Sequence, residues 1–158
     1  MHILKALIVD DERGMRLGMK KTLDRFQFSL DEVEEDIEFK TQTAATGEEA
    51  VEKVSEWQPD VMLLDYKLPE MSGLEVLEEV TTEESEMVTV MVTAYASIDT
   101  AISAIKQGAF DFLAKPFEPK DLRKTVKKAT KNLILAREVR KLEEEKKRVR
   151  FEFLSVQI

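Results

Sequence analysis

The sequence predicts an α/β protein built on a doubly wound, five-stranded parallel sheet. Five short and nearly continuous apolar runs recur along the 158 residues, and such runs are typical of strands that are covered on both faces. Segments with helical patterns separate these runs, and a regular alternation of strand and helix indicates a parallel sheet. The predicted strands are residues 4–9, 37–43, 61–64, 87–92 and 109–113.

Residues that start and stop helices stand between these runs. Thr46 and Ser72 each precede a Glu by three residues, which is the capping-box pattern of a helix start. Ser97 is a third candidate N-cap, and Pro119 suits the first turn of the fifth helix. Gly108 follows the fourth helical pattern and is expected to end it.

Composition excludes several classes of protein. The absence of Cys excludes a disulfide scaffold, a thiolate metal site and a Cys nucleophile. No apolar run approaches the roughly 18 residues that a membrane span needs, and the first residues lack the layout of a signal peptide. We therefore expect a cytoplasmic protein with no membrane contact.

Charge is distributed unevenly along the chain. Residues 1–119 contain 26 Asp and Glu against 11 Lys and Arg, whereas residues 120–150 contain 13 Lys and Arg against 5 Asp and Glu. An acidic body repels nucleic acid. The basic stretch is interleaved with Leu, Val and Glu, which is typical of a solvated helix. Direct binding of nucleic acid is therefore not expected.

Polar residues follow four of the predicted strands: Asp10 and Asp11, then Asp65, Thr93 and Lys115. Ligands of open parallel sheets bind beyond the carboxyl ends of the strands. Crowded carboxylates repel one another unless a cation intervenes, and hard oxygen ligands suit Mg²⁺. A nearby lysine can neutralise an incoming phosphoryl group. From strand ends alone, a metal–phosphate site and a set of ordinary cap and loop residues both remain open.

Four motifs resemble those of the receiver domain of two-component response regulators. They are Ile-Val-Asp-Asp-Glu at 8–12, a ten-residue match at 64–73, Val-Thr-Ala at 92–94 and a ten-residue match at 108–117. The resemblance covers about residues 3–130 and implies a flavodoxin-like (βα)5 fold. It also implies a receiver domain over residues 1–130 that accepts a phosphoryl group from a phosphohistidine of a sensor histidine kinase or phosphotransfer protein.

The resemblance further implies the residues that bind the phosphoryl group and its metal. Asp65 is the expected phosphoacceptor, and Lys115 is expected to pair with the phosphoryl oxygens. Mg²⁺ is the expected cofactor, ligated by Asp11, by Asp65 and by the backbone carbonyl of Lys67. Asp10 would assist directly or through water.

The resemblance also implies a switch. Thr93 is expected to hydrogen-bond the phosphoryl group and to draw its loop inward. Phe112, three residues before Lys115, matches the aromatic residue that turns inward with that threonine. The Lys115–Pro116 peptide is expected to be cis, and Lys67 and Tyr95 stand where family members vary and are expected to tune the lifetime of the phosphoryl group.

Enzymes on related folds are the competing class. An aspartyl-phosphate hydrolase needs a second carboxylate two residues after its nucleophile, where this chain has Lys67. No Gly-rich turn follows the first predicted strand, which argues against dinucleotide binding. The expected function is that of a phosphoacceptor switch rather than of an enzyme with its own substrate.

One segment departs from the family pattern. Residues 27–36 add about ten residues to a connection that usually has two to six. Because five of these residues are Asp or Glu, a solvated acidic extension is expected. A surface for a partner is the alternative.

The helical pattern that opens at Pro119 continues to the last residue without Gly or another Pro. Two stripes lie on it, and each has the spacing of one helix face. The first would pack on the domain and comprises Leu122, Val126, Ala129 and Leu133. The second has coiled-coil spacing and comprises Leu135, Val139, Leu142, Lys146, Val149, Phe153 and Val156. Residues 131–158 are therefore expected to form a coiled-coil linker that makes a parallel homodimer, with a solvated single helix as the alternative.

Residues 151–158 resemble the segment that precedes the phosphoacceptor histidine in the dimerisation helix of sensor histidine kinases. This likeness implies a histidine kinase as the output domain. The alternative is the linker of a transcription activator with ATPase and DNA-binding domains.

Overall fold

The computed structural model describes residues 1–156, and one six-stranded sheet forms its centre. The strands are β1 (His2–Val9), β2 (Gln27–Leu30), β3 (Glu35–Ala44), β4 (Val61–Leu64), β5 (Val88–Thr93) and β6 (Asp111–Ala114). Their order across the sheet is β2-β3-β1-β4-β5-β6. The five predicted strands are all parallel, and β2 is an additional antiparallel edge strand.

The prediction of a solvated extension at residues 27–36 is wrong for its first half. Residues 27–30 form β2, which makes a hairpin with the start of β3, so the sheet has six strands rather than five. Phe26, Phe28 and Phe39 form an aromatic cluster with ring centroids 4.6–6.3 Å apart. Leu30 is buried at the end of the strand. Burial of these apolar groups stabilises the hairpin, and only its acidic tip remains in solvent.

Five helices connect and extend the strands: α1 (Arg13–Asp24), α2 (Gly47–Trp57), α3 (Gly73–Val80), α4 (Ile98–Lys106) and α5 (Pro119–Val156). The three predicted N-caps are confirmed, because Thr46, Ser72 and Ser97 each accept a hydrogen bond from the backbone N–H three residues later. Only Ser97 forms a complete capping box, with Thr100 as its reciprocal partner. These caps satisfy backbone donors at the helix starts that have no partner within the helix.

Two apolar layers cover the sheet, one on each face. Alternate residues of β1 point to opposite faces, so Leu4 and Ile8 pack with α1 and α5 whereas Leu7 and Val9 pack with α2, α3 and α4. This double burial is the reason why the strands appear in the sequence as continuous apolar runs. The arrangement is the doubly wound, flavodoxin-like fold that the sequence predicts.

The fifth helix has 38 residues and extends well beyond the sheet. Its predicted core stripe is confirmed, since Leu122, Val126, Ala129 and Leu133 are buried. After Ile134 the described part of the helix contains no buried residue. Gln157 and Ile158, the end of the predicted linker and of the kinase-like motif, lie outside the described residues. Between residues 1 and 156, no helix is long and apolar enough to cross a membrane.

Four charged residues hold the helix against the amino ends of the strands. Arg137 pairs with Asp60 at 2.5 Å and with Glu86 at 3.4 Å, and Arg140 also pairs with Glu86. Asp60 immediately precedes β4, and Glu86 lies two residues before β5. We refer to Asp60, Glu86, Arg137 and Arg140 as the basal clamp. The clamp fixes the helix to the domain for about two turns beyond its last buried residue.

Candidate phosphoryl and metal site

The predicted strand-end residues meet at the carboxyl edge of the sheet. Asp10 and Asp11 follow β1, Asp65 follows β4, Thr93 ends β5 and Lys115 follows β6. The cavity at this edge has a volume of ≈ 460 Å³, and both acidic strand ends and Lys115 line it. Residues up to 105 positions apart in sequence therefore share one pocket, as the parallel topology requires.

Lys115 links two of the acidic strand ends. Its Nζ lies 2.6 Å from Oδ2 of Asp10 and 3.1 Å from Oδ2 of Asp65. Burial raises the pKa of Asp10, and the hydrogen bond from Lys115 opposes that rise only in part. Burial also disfavours the charged form of Lys115, but the hydrogen bonds to Asp10 and Asp65 outweigh it and raise the pKa of this ammonium. Lys115 is therefore a fixed cation between two carboxylates.

The three carboxylates form a donor set that fits a divalent cation. One oxygen from each of Asp10, Asp11 and Asp65 lies within 4.8 Å of the others. Asp10 and Asp65 are buried, whereas Asp11 is exposed at the mouth of the pocket. Lys115 offsets one of the three negative charges, so the group retains a net negative charge. Oxygen-only donors and partial exposure to water are the conditions that Mg²⁺ prefers.

The backbone around Asp65 leaves little freedom for its carboxylate. Its N–H donates to the carbonyl of Val9 at 3.0 Å, and its Oδ1 accepts a hydrogen bond from the Lys67 N–H at 3.3 Å. Gly73 donates its N–H to the Tyr66 carbonyl at 2.8 Å. A Cβ at Gly73 would collide with the backbone carbonyl oxygen of Asp65. The start of α3 thus packs directly against the loop that carries Asp65.

Thr93 and Phe112 flank the pocket rather than line it. Thr93 is fully buried, and its hydroxyl oxygen accepts a hydrogen bond from the Tyr95 N–H at 3.1 Å. Phe112 pairs with Met91 across the sheet and packs, half-buried, against the apolar layer beside α4. The Lys115–Pro116 peptide is cis, as expected.

Lys67 and Tyr95 make a contact that sequence reasoning missed. The Lys67 ammonium lies 3.2 Å from the Tyr95 hydroxyl and 4.6 Å from the centre of its ring. Both residues line the pocket, and they lie three residues beyond the end of β4 and two residues beyond the end of β5. That spacing predicts their place at the pocket edge. The contact itself joins residues 28 positions apart, and no local pattern encodes it.

A family model for the response regulator receiver domain matches residues 6–127. The chain belongs to this family. Regulatory protein AtoC of Escherichia coli is 34% identical over 140 residues, which are 89% of this chain and 28% of AtoC. Chemotaxis protein CheY of Listeria monocytogenes is 35% identical over 129 residues, which are 82% of this chain and all of CheY.

Solved structures show the same fold. NtrX from Brucella abortus superposes with a TM-score of 0.75 at 31% identity, over 90% of this chain and 30% of NtrX. The receiver described here thus spans less than a third of AtoC and of NtrX, but the full length of CheY.

The ion pairs of Lys115 predict a pH-dependent loss of stability when this lysine is removed. In Lys115→Met the buried Asp10 loses its counter-ion. The ionised Asp10 carboxylate then lowers the free energy of unfolding by about 3 kcal/mol. Because burial already raises the pKa of Asp10, acid relieves the penalty by protonating this carboxyl in the folded state. Urea unfolding in EDTA should therefore show that the variant loses more free energy of unfolding, relative to the parent, at pH 7 than at pH 5.

Lys67→Met is the matched control, because it removes the same charge from an exposed side chain at the same pocket. Its free energy of unfolding should change little at either pH. An equal loss for Lys115→Met at both pH values would contradict the role of Lys115 as counter-ion of Asp10.

Proposed function

We propose that this receiver domain accepts a phosphoryl group on Asp65 from the phosphohistidine of a sensor histidine kinase or phosphotransfer protein. The observation that carries the proposal is the pairing of a single ammonium, that of Lys115, with both Asp65 and the fully buried Asp10. Asp10 and Asp65 both follow a strand, contact Lys115 and line the pocket. Asp65 retains some exposed surface whereas Asp10 has none, so Asp65 is the carboxylate that an incoming phosphoryl group can reach. Nucleophilic attack by the Asp65 carboxylate would form a P–O bond as the P–N bond of the phosphohistidine breaks, leaving an acyl phosphate on Asp65 and a free imidazole on the donor.

Lys115 would act on the phosphoryl group through its charge. Its ammonium already lies at hydrogen-bond distance from Asp65, so a group bound to that carboxylate would come within reach of the same cation. Neutralising phosphoryl oxygens with a fixed charge stabilises the transferring group without reorganisation of solvent.

Mg²⁺ is the proposed cofactor, held by Asp11 and Asp65 and by the backbone carbonyl of Lys67, with Asp10 directly or through water. When bound, the ion would supply positive charge that screens the carboxylates and the phosphoryl oxygens from one another. The protein's own contribution is to fix the donors, chiefly through the backbone hydrogen bonds of Asp65.

Thr93 and Phe112 are the proposed switch residues. The Thr93 hydroxyl oxygen accepts a hydrogen bond from the Tyr95 N–H, and the hydroxyl can also donate its own proton to a second group. We propose that it donates to the phosphoryl group and that its loop moves toward the pocket. Phe112 lies on the neighbouring strand and would turn inward with that movement.

The receiver is proposed to control a transcription activator with an ATPase output domain rather than a histidine kinase. Relatives with larger sequences include regulatory protein AtoC and response regulator protein PilR, of which this chain spans 28% and 25%. NtrX from Brucella abortus has been solved in complex with ADP and with ATP. These relatives support the activator alternative, and the likeness of residues 151–158 to a kinase helix has no support among them.

A homodimer through α5 completes the proposal. The exposed side chains of Leu142 and Val149 lie on the stripe with coiled-coil spacing, and pairing two such stripes removes their apolar surface from water. The domain boundary is proposed near residue 130, with the linker at residues 131–158. The first turn of that linker still packs on the domain through Leu133 and Ile134.

Phosphorylation should require Asp65 alone. Incubation with a small-molecule phosphodonor and Mg²⁺ should add one phosphoryl group that hydroxylamine removes, because acyl phosphates react with this nucleophile. Intact-protein mass spectrometry should detect no addition to Asp65→Asn. Asp99→Asn, which changes an exposed acid in the first turn of α4, is the control and should label normally. Persistent labelling of the Asp65 variant would refute the assignment.

Metal binding should depend on Asp11. Asp11→Ala removes an anionic ligand from a site with few protein ligands, so the affinity for Mg²⁺ should fall about tenfold or more in a calorimetric titration. Glu70→Gln, which neutralises an exposed acid in the Asp65 loop, should retain the parent affinity. Equal affinities for the parent and the Asp11 variant would argue against a ligand role.

Dimerisation should fail when charge enters the stripe. The double variant Leu142→Asp, Val149→Asp places four carboxylates in a paired interface, and their desolvation should abolish association. Sedimentation equilibrium at high concentration should give a monomer mass. Lys141→Asp with Arg148→Asp changes neighbouring exposed positions outside the stripe and should leave the dimer intact. Equal masses for the parent and the stripe variant would disprove the coiled coil.

A further inference from the structure

The linker part of α5 has one occupied face and one free face. Arg137 and Arg140 of the basal clamp pair with the domain on the back of the helix. The apolar stripe lies on the front. Its side chains are 42–63% exposed at Leu135, Val139, Leu142, Val149 and Phe153. From residue 135 to residue 142 the same two turns therefore bind their own domain and present an apolar face to solvent.

The residue types of the stripe favour two strands when the helices are parallel. The spacing assigns Val139, Lys146 and Phe153 to a positions and Leu135, Leu142 and Val149 to d positions of the heptad. Among parallel coiled coils, a β-branched residue at a with Leu at d favours two strands, and Val139 with Leu135 and Leu142 meets this condition.

Charges beside the stripe also favour one arrangement. Glu145 occupies a g position and Arg150 the following e position. In a parallel pair, each g residue faces the e residue of the next heptad of the other helix, so Glu145 faces Arg150 of the second copy, and this occurs twice. In an antiparallel pair g faces g and e faces e, so Glu145 would meet Glu145 or Glu152 of the second copy, while Arg150 would meet Ala136 or Glu143. Of these arrangements, the parallel pair is the one that gives both Glu145 and Arg150 a partner of opposite charge.

Lys146 strengthens the same layer. Its a position lies beside the g position of the other helix, where its flexible stem lets the ammonium reach Glu145 of the second copy. Nearer to the domain, Glu138 would face Glu143 of the second copy, and these like charges oppose pairing. The favourable charges are therefore concentrated in the distal part of the helix, around residues 145–150.

We propose that the partner of the front face is a second copy of this chain, and that Glu145, Lys146 and Arg150 select a parallel pair in one register. This inference rests on the dimer proposed above and adds the residues that determine its orientation. The back face remains bound to the domain through the basal clamp, so the two receivers flank the coil on its outer sides.

Two opposite charge reversals test this selection. The Glu145→Arg variant has Arg at positions 145 and 150, and the Arg150→Glu variant has Glu at both of these positions. Each variant alone should self-associate about tenfold more weakly than the parent, since two attractive pairs become repulsive. An equimolar mixture should recover the parent's association in sedimentation equilibrium, because both pairs are then opposite in charge.

Glu144→Arg and Arg148→Glu are the controls, since they make the same charge changes at exposed positions outside the e and g edges. Each should self-associate as the parent does, with no gain on mixing. Circular dichroism should show equal helix content for all variants. Stronger self-association of Glu145→Arg would indicate the antiparallel register in which residue 145 faces Glu152, and would overturn the proposal.

The two proposals fail in different ways. A parent chain that remains monomeric at high concentration would overturn the dimer itself and, with it, the charge selection. A dimeric parent whose reversal variants associate as it does, or do not recover on mixing, would overturn only the charge selection.

Discussion

The hydrogen bonds from Lys115 to Asp10 and Asp65 are the interaction on which the rest of the site depends. Asp10 has no exposed surface, and a buried carboxylate is costly unless a cation and further donors satisfy it. Lys115 supplies the cation, and the Glu12 N–H supplies a second donor at 2.9 Å. Because these groups follow β1, β4 and β6, the three strands must end at the same level. Within residues 1–156 no buried side-chain nitrogen or oxygen lacks a partner.

That requirement explains why sequence reasoning located the site well. In the sequence, each buried strand ends where an apolar run meets a polar residue: Asp10, Asp65, Thr93 or Lys115. Parallel topology then brings these strand ends to one edge of the sheet. Helix starts were equally readable, since a cap acts over three residues. The same local patterns carry no information about whether Lys67 touches Tyr95, because that contact depends on how two loops lie across the pocket.

The hairpin was missed for a related physical reason. Its polar and acidic residues match the composition of a solvated loop, and a four-residue strand such as Gln27–Leu30 has little periodicity of its own. Phe26, Phe28 and Phe39 are apolar, but their spacing along the sequence does not indicate a strand. The three rings form a cluster only when the chain folds back. Tertiary packing decided the structure of this segment, as it often does for short strands.

The basal clamp and the Lys115 ion pairs lie at opposite edges of one sheet, and α5 spans the distance between them. The helix begins after β6 at the carboxyl edge, packs on β5 through its buried stripe, and reaches Asp60 and Glu86 at the amino ends of β4 and β5. A movement of β5 or β6 at the site would therefore reach the linker through the buried face of this helix. The ion pairs of the clamp attach the helix to the domain at Arg137 and Arg140, along the same turns on which the exposed stripe begins.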